Sequence, residues 1–375
     1  MYINRILDLD TILKSKSCFL FGPRQTGKSS LIRETLQQHK AYNLLDSDTF
    51  LTLSQNLKLI EQQLTPEDHI IIIDEIQKLP QLLDEVHLII EKYNIHFLLT
   101  GSSARKLRQG GVNLLGGRAR SRHLHPFIYK ELQPSFQLHR ALEFGLIPSI
   151  YMSDSPQEDL AAYAGDYLKE EIASEALVRN IPAFSRFLQV AACCNSQLIN
   201  FSKISNDAQV PSSTIQEYFG ILKDTLVAFE LPPWKQTIKR KPISTSKCYF
   251  FDIGITRFLQ KRGQLNMKSP EIGEAFETYI AHELKTYCDH YGQRDLHFWR
   301  SKTGQEVDFI LNNSIAIEVK AKSTISERDL TGLRALKEEK NINAYWLFCF
   351  EKEARIVDSI HIYPWNMGLD QVWEL

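Results

Sequence analysis

The chain has 375 residues, 43% of them hydrophobic and 24% charged; at about 100–200 residues per domain this is material for two or three domains with ordinary cores. Lys and Arg number 44 against 45 Asp and Glu, a formal net charge of -1, so no global field attracts nucleic acid and any such contact needs a local basic patch. The six cysteines include no C-x-x-C spacing, which argues against a zinc site or a thioredoxin-like motif and for free thiols in a reducing compartment.

In chain order, the opening MYINRILDLD carries acids early and no long apolar run. The expectation is a soluble, cytoplasmic protein without signal peptide or membrane targeting. Lys16 to Phe21 then reads as a short buried strand, and it runs into GPRQTGKS and a helical pattern. Strand, Gly-rich loop and helix are the setting in which G-x-x-x-x-G-K-[ST] holds a nucleotide. The loop residues Gly22, Pro23, Arg24, Gln25, Thr26, Gly27, Lys28, Ser29 and Ser30 are candidate ATP ligands. Backbone N–H groups would surround the phosphates, Lys28 would reach the β- and γ-phosphates, and Ser29 would coordinate Mg²⁺.

His69 to Asp74, HIIIID, predicts a strand buried on both faces, as in a parallel sheet. Asp74 at its end is a second Mg²⁺ candidate, and Glu75 is placed to polarise the attacking water. A third strand, His96 to Thr100, leads into GSSARKL; Ser102 or Ser103 there either senses the γ-phosphate or belongs to a polar turn. With helical stretches around Leu57–Leu64 and Leu82–Tyr93, the pattern is a parallel, helix-covered α/β sheet. In LLGGRARSRHLHPF, Arg118, Arg120 and Arg122 alternate as on one strand face. Arg118 is a candidate for stabilising γ-phosphate charge, the alternative being edge charges that discourage strand pairing. His123 and His125 also alternate, but no third metal ligand lies nearby.

GPRQTGKSSL, IIIIDEIQ, TGSSARKL and LLGGRARSRHLHPF together resemble the prokaryotic AAA-type ATPases that carry a C-terminal domain of unknown function. The resemblance implies that Gly22 to Ser29 is a Walker A loop, that Asp74 and Glu75 are Walker B, that Ser102 lies in the sensor segment and that Arg118 is the family arginine. It also implies ring-forming homo-oligomers, hexamers among them, in which an arginine enters the neighbour's site.

Ala161 to Val178 reads as a helical lid or linker. Three helical patterns follow between Phe184 and Leu231; Pro211-Ser212-Ser213 starts the third after a short break, as in a helix-turn-helix. The stretch after it suggests a hairpin bearing Lys235, Lys239, Arg240, Lys241 and Lys247. A winged helix with a basic wing on DNA phosphates fits this order, and so does a packing module, because Lys223 is the only cation on the third helix beside Glu217 and Asp224. KCYFFDIGI again matches the AAA-type family, with Asp252 and Gly254 after a buried strand.

Glu271 to His290 is an amphipathic helix with Ile272, Phe276, Tyr279, Ile280 and Leu284 on one face. Strands, a helix and a further strand follow in the order α-β-β-β-α-β. Asp308 lies in VDFIL, and Glu318 and Lys320 share one face of IAIEVKAK. Acids inside apolar strands are costly unless paired or bound to metal. Asp308 and Glu318 form a hard oxygen site for Mg²⁺ or Mn²⁺, and Lys320 can position a water or stabilise charge on phosphate. Glu277, or Glu274, could complete it. Over Glu271–Phe350 this resembles the PD-(D/E)XK nuclease superfamily, in the order Glu…Asp…Glu-x-Lys, with Val307 where the superfamily has a proline before the aspartate.

The expected architecture is an α/β P-loop ATPase core of AAA type (1–135), a helical lid or linker (136–180), a winged-helix-like segment (181–255) and a PD-(D/E)XK nuclease-like α/β domain (256–375). The leading function is an ATP-dependent or ATP-regulated nuclease on branched or damaged DNA, as in DNA repair. The rivals are an ATPase switch or scaffold, or a translocase, with an inert nuclease fold.

Overall fold

The computed structural model of the chain describes residues 2–102, 115–167, 180–292 and 294–375. These fall into two compact units: Met1–Pro126 with Asp224–Val227, and Phe127–Glu170, Asn180–Lys223 and Ala228–Leu375.

The first unit contains α1 (Leu9–Ser15), β1 (Ser17–Phe21), α2 (Lys28–Thr35), β2 (Lys40–Asn43), α3 (Ser47–Gln55), α4 (Leu59–Gln62), β3 (Ile70–Asp74), α5 (Leu82–Tyr93), β4 (His96–Gly101) and β5 (Ala119–His123). The strands form one parallel sheet in the order β2-β3-β4-β1-β5. Side chains alternate across it. Phe19, Phe21, Ile71, Ile73, Phe97 and Leu99 pack on one face with Leu83 and Val86 of α5. Cys18, Leu20, Ile70, Ile72 and Leu98 pack on the other with Leu9, Leu13 and Leu31. This two-sided burial is why the strands read as continuous apolar runs. Two expectations shift. Arg118 precedes β5, closing a 3₁₀ turn at Leu115–Gly117, so only Arg120 and Arg122 alternate within the strand. β2, a four-residue edge strand, has no counterpart among the predicted elements.

The second unit opens with α6 (Tyr129–Leu132), α7 (Leu138–Phe144), α8 (Pro148–Tyr151) and α9 (Pro156–Ala162). A π-helical turn, Tyr163–Tyr167, follows α9; the rest of the predicted lid helix, to Val178, lies outside the described residues. Next come α10 (Ile181–Cys193), α11 (Phe201–Ala208), α12 (Ser212–Asp224), and the antiparallel pair β6 (Ala228–Leu231) and β7 (Lys247–Phe250). Leu198 bridges to Lys247 at the free edge of that pair. Asp252 caps α13 (Ile253–Leu259), and its buried carboxylate also accepts the Leu146 N–H at 2.7 Å. Burial pushes this carboxyl up to about 6, against four backbone N–H groups that favour its charge. A Cβ on Gly254 would lie 2.1 Å from the Phe144 carbonyl oxygen. The Asp252–Gly254 motif is therefore explained by packing on α7.

α14 (Glu271–Tyr291) precedes β8 (Leu296–Arg300), β9 (Glu306–Leu311), β10 (Ile315–Val319), α15 (Thr331–Lys337), β11 (Ala344–Cys349), β12 (Arg355–Val357), β13 (Ile360–Pro364) and α16 (Trp365–Trp373). The sheet order is β12-β13-β11-β10-β9-β8, with β10, β11 and β13 parallel and the other neighbours antiparallel. α14 is buried nearly all round: its apolar stripe is joined inside by Thr278, His282 and Glu283. The stretch from 232 to 246 does not form a free hairpin. Pro233 bridges to Phe298 and Pro242 to Ser301 along β8, and Trp234 enters the core of the C-terminal sheet with Trp299 and Val307. No helix among the described residues is long and apolar enough to cross a membrane.

Candidate functional site

Two clusters carry chemistry, one in each unit. In the first, β1 ends at Phe21 and the chain wraps through Gly22–Gly27 into α2. Gln25 (φ 60°) and Gly27 (φ 95°) take left-handed backbone, which the inward turn of N–H groups requires. A Cβ on Gly22 would lie 2.4 Å from the Leu124 carbonyl oxygen. Lys28 is buried, its Nζ donating to the Gly22 and Pro23 carbonyls at 2.6 and 3.1 Å. Arg5, absent from the predicted site, donates to the Thr26 carbonyl at 2.6 Å and to the His125 carbonyl at 2.6 Å, tying the loop to the exit of β5.

Asp74 ends β3 and accepts the Ser29 hydroxyl at 3.3 Å. That closeness of hydroxyl and carboxylate suits a shared Mg²⁺. Thr100 donates its hydroxyl to Asp74 and accepts the Glu75 N–H at 3.1 Å. Glu75 is buried at φ 63°. Gln77 donates to its carboxylate and lies 3.4 Å from the Ser102 hydroxyl, so Ser102 joins the network while Ser103 lies outside the described residues. Thr100 and Gln77 were not singled out in the sequence, although T-G after a strand and Gln two residues beyond Glu75 were visible. A cleft of about 550 Å³ beside these groups is lined by Ser29, Arg33, Asn43 and Asp74 among others. Arg118 pairs with Glu91 of α5 at the surface. His123 and His125 meet edge to face, ring centres 6.3 Å apart.

In the second unit, Asp308 on β9 and Glu318 on β10 lie on neighbouring antiparallel strands, and the Asp308 carboxylate accepts the Val319 N–H at 2.9 Å. Lys320 donates to Glu318 Oε1. Glu318 Oε2 is buried with no hydrogen-bond partner. Burial and then Asp308 push the Glu318 carboxyl up to about 8. Burial would lower the Lys320 ammonium, but Glu318 and Asp308 hold it above its ordinary value. An orphaned oxygen in a strained acid pair fits a hard divalent cation. A cleft of about 410 Å³ opens there, lined by Thr303, Gln305, Glu306, Glu318, Lys320 and Arg328.

Glu277 of α14 lies within electrostatic reach of Asp308 and Glu318 and is held at the same time from β7. It accepts from Tyr249 at 2.5 Å and pairs with Lys247 at 3.3 Å, both on β7, and Lys247 also pairs with Glu306 at 2.7 Å. Burial pushes the Glu277 carboxyl up to about 7, Lys247 opposing. Glu274 is tied to Arg262 at 2.6 Å. Accordingly, no group of three or more His, Cys, Asp or Glu among the described residues is arranged to hold a metal; Mg²⁺ needs only one or two carboxylates when phosphates and water complete its shell. Of the predicted wing cations, Arg240 is paired with Glu338 and Glu339 and Lys247 is buried.

Comparisons with known proteins divide the chain three ways. Residues 14–133 match the family described as AAA domain, 135–267 a domain of unknown function (DUF8612) and 272–367 another (DUF4143). No curated protein matches the chain. A solved structure with similarity is a Signal Transduction ATPase with Numerous Domains (STAND) protein with a tetratricopeptide repeat sensor from Pyrococcus horikoshii, 15% identical, covering 77% of this chain and 47% of that one with a TM-score of 0.26. The chain thus spans about half the length of that protein. With the match to residues 14–133, the parallel sheet and the Gly-rich loop between β1 and α2 identify this part of the chain as a P-loop ATPase module of AAA type.

Proposed function

We propose that the chain is an ATP-hydrolysing protein that acts on DNA, its C-terminal α/β domain cutting phosphodiester bonds with Mg²⁺ under the control of ATP. The observation that carries the nuclease reading is the Glu318 carboxylate, buried beside Asp308 with one oxygen unpartnered and a cleft in front of it. In this reading Asp308 and Glu318 hold Mg²⁺ (or Mn²⁺), and Lys320 orients the attacking water or meets the charge on phosphate. The metal, when bound, supplies positive charge to the scissile phosphate. In the ATPase module, Gly22 to Ser30 cradle the phosphates, Ser29 and Asp74 hold Mg²⁺, Glu75 orients the attacking water and Ser102 reads the γ-phosphate. Residues 181–255 act as a winged helix; three helices followed by a paired β6 and β7, with Leu198 bridging at the edge, support that reading. A cytoplasmic homo-oligomer, a hexameric ring for instance, is the assembly that goes with it.

The test is cleavage of labelled duplex, single-stranded and four-way-junction DNA with Mg²⁺ or Mn²⁺, with and without ATP, by wild type, Lys28→Ala and Glu318→Ala. Cleavage lost in Glu318→Ala is the expected result. ATP hydrolysis without cleavage on every substrate would favour the second reading, an ATPase switch or scaffold with an inert nuclease fold. That reading has its own support: Lys247 and Tyr249 already satisfy Glu277 without a metal.

A further inference from the structure

The segment between β6 and β7 sorts its cations by direction. Arg240 and Lys247 turn inward onto carboxylates. Lys235, Lys239 and Lys241 stay exposed and form no ion pair among the described residues. The segment is fixed to β8 by backbone contacts: the Ile243 N–H donates to the Arg300 carbonyl at 3.0 Å, and the Lys302 N–H donates to the Lys241 carbonyl at 3.1 Å. Lys241 is thereby joined to Lys302, also exposed and also without an ion pair. The next three residues, Thr303, Gly304 and Gln305, line the cleft in front of Glu318 and Lys320, and exposed Arg328 lines it too. The nearby acids are already engaged: Glu306 by Lys247, Glu318 by Lys320, and Asp329 by Lys322. On α12, the helix that a winged helix would lay in a groove, Lys223 is paired with Glu230.

We propose that Lys241 and Lys302, with Arg328, form a phosphate-binding rim of the C-terminal cleft, and that its occupant is the sugar–phosphate backbone of a DNA strand led past Lys320. The wing thus serves the cleft, and α12 is not the reading element. Unpaired surface cations at the edge of a concave site that also bears Lys320 provide what a polyanion requires: local positive charge on a chain whose net charge is -1. The rim rests on the nuclease reading for its place, but binding can be measured apart from cutting.

The experiment is fluorescence anisotropy of a short labelled duplex with the full chain in Ca²⁺ buffer, over a salt series, for wild type and for Lys241→Gln with Lys302→Gln. Both residues are exposed, so the variant folds. Each lost phosphate contact lowers the slope of log K against log salt by about 0.9; the double variant is expected to lose about 1.8 in slope and roughly tenfold or more in affinity at low salt. A charge-loss control in the ATPase unit, Lys58→Gln with Lys78→Gln, is expected to leave both unchanged. An unchanged slope in the rim variant, or an equal loss in the control, overturns the rim. Cleavage assays separate the two claims. If wild type cuts DNA and the rim variant binds and cuts equally well, the rim is wrong and the nuclease reading stands. If wild type binds through the rim and never cuts, the rim stands and the nuclease reading falls.

Discussion

A single carboxylate sets the character of the C-terminal site. Glu318 is driven up to about 8 by burial and by Asp308. A carboxyl raised above its ordinary 4.5 stabilises the fold while protonated; that contribution is complete below the ordinary value and is lost as pH rises through about 8. Glu318→Gln, neutral at every pH, should therefore melt at least ~2 °C above wild type near pH 8.5 in metal-free buffer, with the gap closing towards pH 5. Added Mn²⁺ should then raise the melting temperature of wild type and not of the variant. Equal melting curves at both pH values would remove the strained acid pair. In the ATPase module the matching residue is Glu75. Glu75→Gln should lower the ATPase kcat by ~10²-fold or more with little change in nucleotide affinity; a loss of nucleotide binding instead would point to a structural part for this residue.

At the scale of elements, close approach decides what substitutions the fold tolerates. A methyl at Gly254 would press on the Phe144 carbonyl, so Gly254→Ala should destabilise by more than ~2 kcal/mol in urea titration, and a neutral effect would show that α7 and α13 can part. Much of this level was legible in the sequence. The buried runs Ser17–Phe21, Ile70–Asp74 and His96–Gly101 announce themselves because both faces are covered, and Leu82–Tyr93 follows from its 3.6-residue period. β2 was not legible: KAYN is four residues of alternating half-exposure, and only its place beside β3 makes it a strand. The basic stretch 235–241 reads as a solvent hairpin because its partners, β8 and the carboxylate of Glu339, lie some sixty to a hundred residues away. Lys247 and Tyr249 do carry a signal: like Glu318 and Lys320, they sit two apart on an apolar strand and so share a face. Arg5 left none, since a lone arginine ahead of the first helix carries no pattern.

For the molecule as a whole, Arg118 decides whether ATP hydrolysis is completed by a second copy. Arg118 is partly exposed and held by a surface ion pair with Glu91, a solvent-screened contact that a stronger anion can displace. Mixing Arg118→Ala with Glu75→Gln, each inactive alone, should restore part of the ATPase if the arginine reaches a neighbour's nucleotide; a mixture as inactive as its components would confine Arg118 to its own subunit or to the surface. A different lesson comes from Trp234. Its indole is buried among Trp299, Val307 and Leu333 and donates to Asn313 Oδ1 at 3.0 Å, while its backbone N–H donates to the Phe298 carbonyl at 2.6 Å. A fragment begun at residue 256 would lack that indole, would leave the outer edge of β8 bare for pairing with other chains, and would strand Glu277 and Glu306 without Lys247. A fragment begun at Phe127 keeps these partners, together with the Leu146 and Asn195 bonds to Asp252 and Thr278, and should therefore be recovered as a monodisperse product, whereas the start at 256 should yield inclusion bodies.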